Sequence, residues 1–297
     1  MDAAKQAFPP TPWSSAPARK TASVDVRAAV YRDGVIRDHV DRVCVEEPLE
    51  IRLRTSHTAR RIALTMRTPG ADLELAAGFL LGEGIVPNRR AIVAVRHCDD
   101  PDLPPEERGN VVTVDVRAAF DAGALLERHF TITSACGVCG TAGIQLLKQC
   151  GYRVLDDDDA RIAGSVLGSL PARMRTRQTV FEATGGLHAA GLFALDGSLL
   201  AVREDVGRHN AVDKIVGTIA LRGGIDPSRC ALVVSGRCGY EIAQKAVAAR
   251  IPIVASVSAP SSLAVELASE FGLTLAGFVR GDRWNVYAGP DRVVMQS

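Results

Sequence analysis

The chain has 297 residues, 47% of them hydrophobic, and a formal net charge of +1. That length and apolar content suit two domains with a sizeable core, and the neutral balance argues against the basic field of a nucleic-acid binder. No apolar run reaches the ~20 residues of a membrane span, and seven cysteines in a chain this long read as reduced thiols of a cytoplasmic protein rather than a disulfide framework.

Residues 1–22 carry scattered small residues and prolines without periodicity, and read as a disordered tail with no signal-peptide core. Strands are expected over 24–31, 35–45, 49–55 and 60–67; the run from Glu50 to Arg54 alternates polar and apolar residues strictly. Pro69-Gly70 is a turn. Asp72 offers an N-cap to a helix with Leu73, Leu75, Ala76, Phe79 and Leu80 on one face, ended by Gly82 and Gly84. Strands over 91–97 and 111–116 flank an acidic, proline-bearing loop, and a short helix follows at 118–127. Residues 23–130 thus form a small α+β domain.

Residues 131–150 bring Cys136-Gly137-Val138-Cys139-Gly140, two thiols on a glycine-rich stretch that reads as a mobile loop. A short helix is expected over 141–150, which puts Cys139 near a helix N-terminus, where the dipole favours a thiolate. A half zinc site, a thioredoxin-like redox pair and a structural role stay open on the motif alone. Zinc needs a second ligand pair, and Cys44, Cys98, Cys150, Cys230 and Cys238 repeat no such spacing.

Residues 151–297 alternate helix and strand: a helix over 174–184, strands 189–195 and 199–203, a helix 210–221, a strand 231–234, a helix 240–249, a strand 253–256, a helix 262–271 and a strand 273–278. The alternation predicts a mainly parallel sheet with helices on both faces. Ligands in such sheets sit beyond the strand carboxyl ends. Three strand-to-helix junctions lie there: Gly207-Arg208-His209-Asn210, Ser235-Gly236-Arg237, and the run around Ser258. Phe278-Val279-Arg280-Gly281-Asp282-Arg283 follows the last strand. Each junction alone is an ordinary helix cap, but together with the arginine pair they point to a phosphate-bearing or nucleotide-bearing ligand. No GxxxxGK or GxGxxG follows a strand, which disfavours an ordinary ATP or NAD site. His188 and His209 read as structural histidines, and the zinc-deaminase signature is missing.

These motifs, with Glu47-Pro48-Leu49, the run 73–80, Thr184 to Ala190, Glu204 to Lys214, Ser258-Ala259-Pro260 and Gly277 to Arg280, resemble the formate dehydrogenase accessory sulfurtransferases, the FdhD/NarQ family. The resemblance implies an α/β protein, α+β overall, with a cytidine-deaminase-like three-layer αβα domain after a smaller α+β domain. It implies a cytoplasmic homodimer that takes sulfur from a cysteine desulfurase and passes it to a molybdenum bis(molybdopterin guanine dinucleotide) substrate destined for formate dehydrogenase. Cys136 is then the persulfide carrier and Cys139 its helper. Residues 278–283 contact the cofactor, with the three junctions holding its phosphates. The metal belongs to the substrate and is not an ion resident in this chain. Cys238, after Ser235-Gly236-Arg237, stands where a small or hydroxyl residue is common, and leaves open whether a further thiol reacts.

Overall fold

The computed structural model describes residues 21–55, 58–98, 104–117, 144, 147–148, 151–155 and 159–295. The expected tail up to residue 20, the helix at 118–127 and the loop with Cys136 and Cys139 lie outside them. Ile144 and Leu147 are described, helical and buried, inside the span expected as a helix.

The chain begins with a hairpin of β1 (Ser23–Arg32) and β2 (Val35–Cys44). Asp33 and Gly34, both at positive φ, close it with the twist that two-residue hairpin turns favour. Next come β3 (Glu47–Thr55), β4 (Thr58–Arg67), β5 (Ile92–His97) and β6 (Val111–Val116), a four-stranded sheet of order β4-β3-β6-β5. Its centre, β3 against β6, is parallel and its two outer pairs are antiparallel. A single helical turn, α2 (Pro105–Arg108), leads into β6.

Leu49, Ile51 and Leu53 alternate inward from β3 and pack with Leu75, Ala76 and Leu80 of α1 (Asp72–Gly82). Asp72 makes no cap bond, contrary to expectation. Ala71, with φ at 57°, precedes the helix, and the Asp72 carboxylate instead accepts Nε and Nη2 of Arg67 at 3.0 Å each. The Arg67 guanidinium is fully buried and so needs this bidentate partner.

The second sheet has six strands in the order β13-β12-β11-β10-β8-β9. They are β8 (His188–Ala194), β9 (Leu199–Asp205), β10 (Cys230–Val234), β11 (Ile253–Ser256), β12 (Thr274–Arg280) and β13 (Arg283–Ala288). Only β10, β11 and β12 run parallel to one another; β8, β9 and β13 are antiparallel to their neighbours, so the sheet is mixed rather than mainly parallel. Helices cover both faces. Ala231 and Val233 of β10 point toward α3 (Gly164–Arg175), while Leu232 and Val234 point toward α5 (Arg208–Arg222), α6 (Tyr240–Ala248) and α7 (Ser262–Glu270). A short parallel pair, β7 (Ile162–Ala163) with β14 (Val293–Val294), lies beside α3.

The expected helix over 174–184 is in fact two, α3 and α4 (Thr179–Thr184), broken at Thr176 to Gln178. Gly164, Gly168 and Pro171 hid α3, since each is a poor helix former. Strand β13 was not expected: residues 278–280 end β12, Gly281 and Asp282 make the turn, and Arg283 opens β13, rather than the run trailing the last strand.

The two sheets are joined by α1 against α5. A Cβ built on Gly78 would lie 1.8 Å from the Asp213 carbonyl oxygen, and one on Gly217 would lie 1.8 Å from that of Glu74. The helices therefore touch backbone to backbone, which only glycine permits. Arg203 of β9 pairs with Glu74 beside them. At one end of this seam the buried Lys245 ammonium lies 2.5 Å from Glu83 and 2.8 Å from Asp213.

Candidate functional site

Three loops leave the carboxyl ends of β10, β11 and β12 and are stitched to one another. The Ser256 hydroxyl donates to the Gly236 carbonyl at 3.1 Å, Ser261 N–H to the Cys238 carbonyl at 3.0 Å, and Phe278 N–H to the Ser258 carbonyl at 3.2 Å. Ser235 Oγ accepts the Ala189 N–H at 2.9 Å, which ties the first loop to β8. Ser235, Gly236 and Ser258 thus shape the backbone here, while Arg237 points into solvent.

Beside these loops runs a groove of about 700 Å³. Ser235, Val279, Arg280 and Gly281 line one wall; Arg175, Phe181, Leu187 and His188 line the other. The second wall was not anticipated as a site. His188 was read as a structural residue, and Arg175 and Phe181 sit on helices the sequence presented as one. The clue in the chain was Gly185-Gly186: Gly185, at φ 67°, ends α4 and turns the chain so that His188 enters β8 at the groove. The Arg175 guanidinium lies 4.4 Å from the centre of the Phe181 ring. Burial holds the His188 imidazole below its ordinary value, with the charges of Arg208 and His209 adding to the effect. His188 is therefore neutral at pH 7 and presents a hydrogen-bonding ring.

The β12–β13 turn carries the strongest anion signal. Arg280 and Arg283 are direct cross-strand partners, and Asp282 and Gly281 form the tip between them, all four exposed. Like charges facing each other across a hairpin destabilise it unless an anion lies between them. Among the described residues neither arginine takes part in an ion pair. Phe278, just before, holds φ at 54°. A bulky residue there is strained by about 1–3 kcal/mol, and such strain gathers at ligand sites. Val279 is buried beneath the turn. The turn is braced from behind: a Cβ on Gly168 would lie 1.7 Å from the Gly281 carbonyl oxygen, and Gly281 N–H donates to the Gly168 carbonyl at 3.1 Å.

The junction from Gly207 to Asn210 divides into two roles. The fully buried Asp205 carboxylate accepts Gly207 N–H at 2.8 Å, Asn210 Nδ2 at 3.0 Å and Thr68 N–H at 3.2 Å, and lies 2.7 Å from Lys214 Nζ. Asn210 Nδ2 also donates to the Met66 carbonyl at 2.7 Å. Asn210 and Asp205 therefore hold the end of β4 and Thr68 after it to the start of α5, while Gly207 N–H closes onto the Asp205 carboxylate. Arg208 and His209 are partly exposed, and His209 Nε2 lies 2.8 Å from Glu241 Oε2.

Two cysteines are removed from contention as nucleophiles. Burial pushes the Cys238 thiol up to about 12, and burial with the nearby Asp226 charge pushes Cys230 up to about 11. Both stay protonated at neutral pH. Cys238 is thus a packing residue. Cys44, partly exposed, lies 3.8 Å from the Gly186 carbonyl near the groove.

A model of the FdhD/NarQ family matches residues 44–294. A protein of Streptomyces coelicolor named sulfur carrier protein FdhD is 47% identical over 268 residues, covering 90% of this chain and 94% of that one. A protein of the same name from Anaeromyxobacter sp. strain K is 46% identical over 288 residues, covering 93% and 96%. A crystal structure of a protein named as a formate dehydrogenase accessory protein, from Desulfotalea psychrophila, superposes with a TM-score of 0.69 at 25% identity, covering 92% of this chain and all of that one. With a family model spanning most of its length and relatives near half identity over nine tenths of it, this chain belongs to the FdhD/NarQ family.

Proposed function

We propose that this protein is a sulfurtransferase that carries persulfide sulfur from a cysteine desulfurase to a molybdenum bis(molybdopterin guanine dinucleotide) substrate before that substrate enters formate dehydrogenase. The observation that carries the reading is the near full-length match to proteins named as sulfur carriers. The name of the Desulfotalea structure supports formate dehydrogenase as the recipient.

The chemistry rests on Cys136. Its thiolate attacks the outer sulfur of the donor's persulfide; a new S–S bond forms, the old one breaks, and the donor's cysteine leaves as a thiolate. The Cys139 thiolate then attacks the inner sulfur of Cys136-S-SH. The outer sulfur departs as hydrosulfide toward the metal centre of the substrate, and a Cys136–Cys139 disulfide remains for a cellular thiol to reduce. High thiol pKa values at Cys230 and Cys238 support the choice of this pair over the buried cysteines.

Phosphates of the guanine dinucleotide arms lie between Arg280 and Arg283, with Phe278 presenting its exposed ring to guanine. Arg208, His209 and Arg237 extend the positive rim. The three-layer αβα second half, residues 151–297, is cytidine-deaminase-like in this reading, with residues 23–130 as the smaller domain and 131–150 as the thiol-bearing connection. The protein acts in the cytoplasm as a homodimer. A lone two-stranded ribbon is marginal in water, and the β1–β2 hairpin exposes Tyr31, Ile36 and Val40, which supports a second copy covering it.

A strain lacking the protein tests the reading. Restoring the intact chain returns formate dehydrogenase activity, while Cys136→Ala, expressed at equal level, does not. Full activity with Cys136→Ala contradicts the proposal. A binding chaperone that never carries sulfur would give that result.

A further inference from the structure

A second concavity, about 430 Å³, lies at the opposite end of α5 from the Gly207 to Asn210 junction. The helix has 15 residues, so the two ends stand roughly 20 Å apart. The lining is simple: Ile92, Ala220 and Leu221 supply apolar surface, and Arg89, Arg90 and Arg117 supply three guanidiniums. Among the described residues none of these three arginines takes part in an ion pair. Their neighbour Arg222, by contrast, lies 3.7 Å from Glu74.

The backbone that carries the arginines is pinned. Asn88 Oδ1 accepts Arg90 N–H at 3.0 Å and fixes the 3-10 turn Arg89–Ala91. Arg117 N–H donates to the Ala91 carbonyl at 3.0 Å, and Arg117 Nε to the Arg90 carbonyl at 2.9 Å. That last bond sets the plane of the Arg117 guanidinium and leaves its two terminal nitrogens for another acceptor. Three like charges around one hollow repel, and a multiply charged anion between them reverses the sign of the interaction. The volume sits at the low end of small-molecule pockets, so it suits one phosphorylated group rather than a paired dinucleotide.

We propose that this hollow is a second anion site, separate from the Arg280–Arg283 turn, that binds a small phosphate-bearing molecule. The phosphates engage Arg89, Arg90 and Arg117, and an apolar or planar portion rests on Ile92 and Leu221. Free nucleotides and the nucleotide arm of a larger ligand share this chemistry.

Isothermal titration of the full chain with inorganic pyrophosphate and with guanosine diphosphate tests the proposal. Arg89 is exposed and no described hydrogen bond or ion pair holds its side chain, so Arg89→Glu keeps the fold; its melting temperature without ligand checks this. With the Arg280–Arg283 turn silenced, pyrophosphate is expected to bind the Arg280→Ala/Arg283→Ala variant, with affinity falling by at least ~10-fold when Arg89→Glu or Arg117→Ala is added to it. In that background, tighter binding of guanosine diphosphate than of pyrophosphate, lost when Arg89→Glu or Arg117→Ala is added, assigns the site to a nucleotide; equal binding assigns it to phosphate alone. In that background, pyrophosphate affinity unchanged by adding Arg89→Glu or Arg117→Ala, or no pyrophosphate binding at all, overturns the proposal. Neither result bears on whether Cys136 carries sulfur.

Discussion

Phe278 keeps φ at 54° while the residue stays 44% exposed, so neither backbone comfort nor burial accounts for it. Replacing it with glycine relieves the left-handed strain, and Phe278→Gly should change stability by no more than about 1 kcal/mol, in either direction. Affinity for guanosine diphosphate should nevertheless fall by ~10-fold as the stacking surface disappears. Thermal melting and titration of one sample check both; a clear loss of stability with nucleotide affinity intact contradicts the assignment. The sequence showed Arg280 and Arg283 as nearby charges, but their direct pairing across strands needed the β12–β13 register. It hid the strain at Phe278, because a backbone angle at a bulky residue follows from the β12–β13 register and not from local preference. It also hid the spent status of Asn210, whose amide is consumed by partners five residues upstream and far back at Met66.

Buried charge gives a pH signature at the same scale. Burial pushes the Asp213 carboxyl up from 3.8 to about 6, even though the Lys245 and His209 charges pull the other way. The folded state then holds this proton more tightly than the unfolded chain does. Its contribution to stability is complete below about pH 4 and is lost as pH rises through 6. Lys245→Met removes the ammonium that Asp213 and Glu83 share, and should destabilise by about 3–5 kcal/mol at pH 7.5. The loss should be smaller at pH 5, where Asp213 takes up a proton. Urea denaturation at the two values measures it; an equal loss at both would show that Asp213 does not titrate in this range.

At the scale of elements, the contact of α1 with α5 decides whether the two sheets form one body. Gly78→Ala and Gly217→Ala each drive a methyl carbon into a backbone carbonyl that sits 1.8 Å away, and a helix cannot shift locally to avoid it. Each should lose at least about 3 kcal/mol in urea denaturation, above the usual range for overpacking. A loss under 1 kcal/mol would mean the helices stand farther apart. Gly168→Ala, against the Gly281 carbonyl, should instead displace the arginine turn and weaken guanosine diphosphate binding. Helix α1 was legible from its apolar run and glycine stop. Helix α3 was not: Gly168 and Pro171 argue against a helix locally, and only the turn packed on Gly168 explains the glycine. Strand β9 was legible beside β8, across the Asp196-Gly197 turn, whereas the antiparallel edge β13 was obscured, because alternation of strand and helix reports the βα units and not a hairpin attached after the last of them.

For the whole molecule, the fold assembles a groove, an arginine turn and a sheet of strand ends on one side. The family's thiol motif, Cys136 to Cys139, lies in sequence between the two sheets. Family membership was readable from the motifs in order, while the second groove wall needed the folded chain, since Arg175, Phe181 and His188 converge only when α3, α4 and β8 are in place. No helix among the described residues is long and apolar enough to cross a membrane. The claim at the centre is sulfur carriage by one thiol, and intact-protein mass spectrometry after incubation with a cysteine desulfurase and free cysteine tests it most directly. The account predicts a mass gain of one sulfur that a thiol reductant removes, present in wild type and in Cys238→Ala and absent in Cys136→Ala. A gain that persists in Cys136→Ala, or no gain in the wild type, contradicts it.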